Sequence, residues 1–169
     1  MDEVIKKKAE PLTVEGFAPY GKAILLPTNP APKKGNNWEC WFGFGSLAGE
    51  NSTIGIVLTR LSADLIEHME AHLQPEFLIP ITGSIIQAVA LPKEDGIPGE
   101  RPDLNTVKAF IIEPGQSIII GKGVWHYAAI PVNEAVWYYF MGNEIWDGPG
   151  TAEEPWIPFL DNKKLEIIY

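Results

Sequence analysis

Reactive chemistry has few places to arise in this chain, which carries three histidines and one cysteine in 169 residues. Two of the histidines stand among acids and glycines at spacings that suit one shared site. The first segment runs Glu70-Ala71-His72-Leu73-Gln74-Pro75-Glu76 and continues to Gly83; the second runs from Gly115 through Gly121-Lys122-Gly123 to His126. On an extended segment, even-numbered side chains share a face, so Glu70, His72 and Glu76 point the same way. Two carboxylates and an imidazole on one face are costly to bury unless they are paired or hold a cation. Imidazole nitrogen with carboxylate oxygen suits a divalent transition metal, with room left for water or substrate. His68 has the same parity and stands as a substitute ligand. A helix is the alternative setting, because His68 and His72 are four apart. The zinc-protease pattern, however, needs Glu directly after the first His, where Met69 stands, and Pro75 ends any helix before Glu76. The Gly121-Lys122-Gly123 turn is not a phosphate loop. Its spacing from Gly115 is one residue too long, and Gly123 stands where Ser or Thr is needed.

The elements that position these residues read as short strands. Lys22–Leu26, Trp38–Phe44, Thr53–Leu61, Glu76–Ile81, Ile85–Leu91, Val107–Ile112, Ser117–Ile120, Trp125–Ile130, Ala135–Met141 and Lys164–Ile168 are rich in branched and aromatic residues. Gly, Pro, Asn or Asp separate them. Many short strands at close spacing predict an all-β antiparallel sandwich or barrel. One short helix is expected near the start, capped by Thr13, with Glu15 in its first turn and Gly21 placed to end it. Ser62–Glu70 reads as a helical turn, with Leu65, Ile66 and Met69 at helical spacing. Residues 27–37 and 92–105 carry repeated prolines and glycines and read as surface loops.

Length and a 46% hydrophobic content bound the chain to one domain, residues 1–169, with a real core. A net charge of −9 argues against nucleic acid and anionic membrane as partners. It leaves room for a small anionic substrate. Cys40 has no internal disulfide partner and reads as a small buried side chain, in keeping with a reducing, cytoplasmic setting. The first residues lack the apolar stretch of a secretory signal, and no segment reaches the length of a membrane span. The six tryptophans read as core and interface residues.

The two segments together resemble the paired cupin motifs, His-x-His-x3–4-Glu-x6-Gly and Gly-x5-Pro-x-Gly-x2-His. Here they appear as Glu70-x-His72-x3-Glu76-x6-Gly83 and Gly115-x5-Gly121-x-Gly123-x2-His126, with Glu70 in the first histidine's place and Gly121 in that of the proline. The resemblance narrows to the ureidoglycolate lyase family. It is carried by Leu12-x2-Glu15-x-Phe17-x2-Tyr20-Gly21, by Phe77-x-Ile79-Pro80, by Pro102-Asp103-Leu104-x-Thr106-x2-Ala109-Phe110 and by Val124-Trp125-His126. Glu76, where the family more often has glutamine, and the Trp- and Pro-rich tail after Gly142 depart from the pattern.

The resemblance implies a cupin-type antiparallel β-barrel or jelly roll with one short N-terminal helix, commonly paired as a homodimer. It implies cleavage of ureidoglycolate to glyoxylate and urea in purine and allantoin degradation. A divalent metal such as nickel, zinc or manganese would be held by His72, His126, Glu76 and Glu70. The reaction needs a grip on the carboxylate, a base for the hydroxyl proton and an acid for the departing urea nitrogen. Glu70, His72, His126 and Lys122 are the candidate catalytic residues, and Arg60 and Lys122 the candidates for the carboxylate grip. The competing class is a cupin that binds a small carboxylate without chemistry, or a metal-dependent isomerase or dioxygenase acting on another small acid. Glu70 in a histidine's place disfavours redox iron.

Overall fold

The computed structural model describes residues 3–36, 39–45, 51–63, 65–93, 101–144 and 146–169. Its elements, in chain order, are β1 (Val4–Pro11), α1 (Val14–Phe17), β2 (Gly21–Ile24), β3 (Lys33–Lys34), β4 (Glu39–Cys40), β5 (Ser52–Thr59), β6 (His68–Met69), β7 (Glu76–Pro80) and β8 (Ile85–Ala90). These are followed by β9 (Lys108–Ile112), β10 (Ser117–Ile120), β11 (Trp125–His126), β12 (Ile130–Pro131), β13 (Val136–Asn143), β14 (Ile157–Pro158) and β15 (Lys164–Ile168). One sheet has the order β11-β8-β9-β1-β15, with β12 also on β8, and the other has the order β2-β10-β7-β13-β5.

The two sheets face each other, and alternation along their strands fills the space between them. Ile85 and Val89 of β8, with Phe110 and Ile112 of β9, meet Leu78, Ile118, Ile120, Val136 and Tyr138 from the other sheet. The short helix closes one end, where Phe17 and Phe110 pack edge to face at 5.2 Å. Thr13 caps it as expected, its hydroxyl accepting from the Gly16 N–H at 3.0 Å. A second cluster, with Met69, Trp125 and Leu165, lies outside the first sheet, covered by residues 66–71 and the C-terminal strand. This is the mainly β, double-sheet architecture with one short α-helix that the spacing predicts and that the resemblance implies as a cupin-type barrel.

Several expectations are corrected. The sheets are not purely antiparallel: β1 runs parallel to both β15 and β9. The Ser62–Glu70 helical turn is not formed. Described residues there are extended, because Ile66 exchanges two backbone hydrogen bonds with Leu165 and His68–Met69 pair with β14. Trp125–Ile130 splits into two bridges on β8. Of the strand expected at Trp38–Phe44, only Glu39–Cys40 forms, and Trp38 lies outside the described residues. Cys40 is half-buried rather than buried.

Candidate active site

Backbone contacts bring the two sequence segments together. The Glu70 N–H donates to the His126 carbonyl at 2.9 Å, and the His126 N–H donates back to the Glu70 carbonyl at 2.8 Å. Gly123, at φ 72, turns the chain so that its N–H donates to the His72 carbonyl at 2.7 Å. A side chain at that φ is strained, so the glycine is needed for the turn. Alternation along β11 then sends Trp125 outward into the second cluster and His126 inward, where it is 3% exposed. Pro75 ends the extended run after His72, and Glu76 opens β7 on the inward face shared by Leu78.

Each imidazole is fixed through its Nδ1. That of His126 stands 3.1 Å from the Val124 carbonyl, which makes it the donor. That of His72 stands 3.6 Å from Asp147 Oδ1, and Asp147 is itself held by the Leu73 N–H at 3.1 Å and the Asn143 amide at 3.2 Å. Both Nε2 atoms therefore turn toward the same carboxylates. His72 Nε2 is 3.4 Å from Glu76 and 4.0 Å from Glu70, while His126 Nε2 is 3.9 Å and 3.8 Å from the same two. One ligand atom each from Glu70, His72 and His126 lies within 4.8 Å of the others. Buried His126 Nε2 has no hydrogen-bond partner.

Burial governs the charges here. It pushes the Glu70 carboxyl up to about 8, with the Glu76 charge adding to the effect. It raises Glu76 as well, against the pull of His72. It pushes the His126 imidazole down to about 4, opposed by the Val124 carbonyl. His72 is lowered by burial and by His126, with Glu76 and Asp147 pulling the other way.

Two cavities meet at this wall. The inner one, about 230 Å³, is lined by Glu70, Glu76, His126, Gln87, Tyr138 and Trp156 among others. The outer one, about 220 Å³, is lined by Glu70, His72, Glu76, Asn143, Trp146 and Pro155 among others. Among the described residues, neither is lined by Lys or Arg. A larger groove, about 390 Å³, runs along β1 and shares no lining residue with these two; in it Lys163 pairs with Glu3 at 3.4 Å and Arg101 donates to the Pro158 carbonyl at 2.9 Å.

The structure thus gathers Glu70, His72, Glu76 and His126 at one place. It does not bring Arg60 or Lys122 there; both are exposed and line neither cavity. Lys122 is exposed between Gly121 and Gly123, whose N–H groups donate to the Tyr20 and His72 carbonyls at 2.7 Å each. His68 packs against Tyr127 and Trp156 at ring distances of 5.6 and 5.3 Å. The residues missed from sequence are Asp147, Gln87, Tyr138 and two tryptophans assigned to core or interface. Trp146 lies edge-on to His72 at 4.9 Å, and Trp156 lines the inner cavity.

A double-sheet barrel with two imidazoles and two carboxyls turned toward its interior defines a cupin-type protein. The sequence profile described as ureidoglycolate lyase matches residues 60–158, more than half of the chain. The chain belongs to the ureidoglycolate lyase family, a family of lyase enzymes. The ureidoglycolate lyase of Chelativorans sp. (strain BNC1) is 26% identical over 136 residues, covering 75% of this chain and 78% of its own. A relative from Agrobacterium fabrum (strain C58 / ATCC 33970) is 30% identical over 131 residues, covering 73% and 74%. Among solved structures, RmlC from Streptococcus suis in complex with dTDP-D-xylose matches at 13% identity and a TM-score of 0.46. That match spans 69% of this chain and 61% of the RmlC chain, less than two thirds of its length.

Proposed function

We propose that this protein cleaves ureidoglycolate to glyoxylate and urea, and that Glu70, His72, Glu76 and His126 carry the reaction. The observation behind this reading is the convergence of two Nε2 atoms and two carboxyls on one wall, at 3.4 to 4.0 Å. No other charged side chain lines the two cavities among the described residues.

The donor set fits a divalent metal. A buried imidazole nitrogen without a partner is costly, and His126 Nε2 is one. Both rings have the far nitrogen tied to an oxygen, the arrangement that orients metal-binding histidines. His72, His126 and Glu70 would hold the ion, with nickel, zinc or manganese the candidates. When bound, such an ion polarises the substrate's carboxylate and hydroxyl oxygens.

Glu76 is the proton carrier in this reading. Burial raises its pKa, so its carboxylate is a better base than one in water. It takes the hydroxyl proton of ureidoglycolate, and the O–H electron pair becomes the second bond of the glyoxylate carbonyl. The C–N bond breaks, its pair stays on the urea nitrogen, and Glu76 returns the proton there. The carboxylate grip assigned from sequence to Arg60 and Lys122 passes to the metal site, since neither cation reaches the cavities.

The reading extends to residues 1–169 as one domain acting as a cytoplasmic homodimer. Ile54 and Ile56 are 68% and 52% exposed on edge strand β5, beside exposed Trp137 and Tyr139 of β13. A second copy laid on that apolar face would cover it.

The test is urea release from ureidoglycolate by His126→Ala and Glu76→Gln variants. Each is expected to fall at least about 100-fold with an unchanged circular dichroism spectrum. Full activity in both folded variants removes the site assignment.

A further inference from the structure

We propose that Gln87 reads the ureido end of the substrate, accepting a hydrogen bond from its terminal NH2; this rests on the lyase reading above. Gln87 is fully buried, and it is the one carboxamide on a strand otherwise made of Ile, Ala and Val. Ile85 and Val89 on the same strand face the core between the sheets, so Gln87, midway between them, faces inward too. Its Nε2 donates to the Tyr127 carbonyl at 2.6 Å and to the Ala88 carbonyl at 3.1 Å. Both partners are carbonyl oxygens, which accept and cannot donate, so the amide orientation is set.

That orientation leaves Oε1 buried and unpartnered, on a residue that lines the inner cavity together with Glu70, Glu76 and His126. A buried acceptor without a donor is unfavourable, so the cavity is built for a ligand that brings an N–H. The carboxylate of ureidoglycolate carries only acceptors and is repelled by Oε1. The ureido group carries N–H donors. Gln87 therefore turns the ureido group into the barrel and the carboxylate toward the metal ligands. A site that must hydrogen-bond its ligand rejects a ligand lacking the group, because the buried acceptor is then stranded.

The test is a double-mutant cycle between protein and ligand, made on metal-loaded enzyme by calorimetry. Hydantoate has the ureido group and the carboxylate, and N-acetylglycine replaces its terminal NH2 by a methyl of similar size. Wild type is expected to prefer hydantoate by about tenfold or more, and Gln87→Met to lose that preference. Glycolate, which has no ureido group, should bind both proteins alike. No preference in the wild type overturns the assignment even if the variant does not fold. So does an equal preference in both proteins, the result expected if Oε1 holds only a trapped water. Urea release is measured separately. If the preference follows Gln87 but no urea appears, the lyase reading falls and the ureido acceptor stands.

Discussion

The sharpest consequence of this site concerns the proton on Glu70. Burial, then the Glu76 charge, lift its pKa from 4.5 to about 8. At pH 7 only about one metal-free molecule in eleven then has Glu70 ionised, and at pH 6 about one in a hundred. A metal binds the carboxylate, so loading must expel the proton. His126, held down to about 4, is neutral throughout this range and releases nothing. Glu70→Gln keeps the shape and removes the titration. The assay is calorimetric zinc binding at pH 7 in buffers of differing ionisation enthalpy, which counts protons released per ion bound. Wild type should release about 0.9 more proton than Glu70→Gln, and the gap should shrink to about 0.1 at pH 9. An unperturbed carboxylate would give no gap at either pH. Equal proton counts in the two proteins would refute the burial argument.

Metal-free thermal stability should depend on pH with opposite signs at two residues. Glu70 has a raised folded pKa, so its contribution is full below 4.5 and is lost as pH rises through about 8. His126 has a lowered one, so its contribution is present above 6.5 and is lost as pH falls through about 4. Melting scans should show Glu70→Gln flattening the alkaline limb, and an unchanged limb would contradict the Glu70 shift. Asp147→Asn weakens the hold on His72 Nδ1, and metal affinity should drop about 10- to 100-fold by chelator competition; an unchanged affinity argues that Asp147 does not orient the ring. Gly55→Ala places a methyl 2.0 Å from the Phe140 ring. It should destabilise by about 1–3 kcal/mol in urea unfolding, and a neutral effect means that Phe140 can move aside.

Much of the barrel was legible because its strands alternate or run apolar between turn residues. Thr13 behaved as the cap its position suggests. Pro114-Gly115 makes the expected turn, with Gly115 at φ 91 and the Gln116 N–H returning to the Glu113 carbonyl at 2.9 Å. The segments around His72 and His126 converge as their spacing implied, although on a bridge and a turn rather than on one continuous strand. What was illegible depends on distant partners. Three consecutive lysines hide β1, which exists because residues 109–111 and 164–168 flank it. Leu65, Ile66 and Met69 suit a helix locally, but hydrogen bonds to Leu165 and β14 extend the chain there. Asp147, Trp146 and Trp156 lie in a tail without periodicity, and only the fold reveals that this tail returns to the histidines.

The reciprocal hydrogen bonds between Glu70 and His126, with that from Gly123 to His72, also bear on the order of events in time. They join stretches about fifty residues apart in the chain, so no local fragment can assemble the site before the barrel closes. Conversely, anything that locks the site locks the closed barrel. The amide protons of Glu70, Gly123 and His126 should then exchange with solvent as a group, and a bound ligand should slow all three by the same factor.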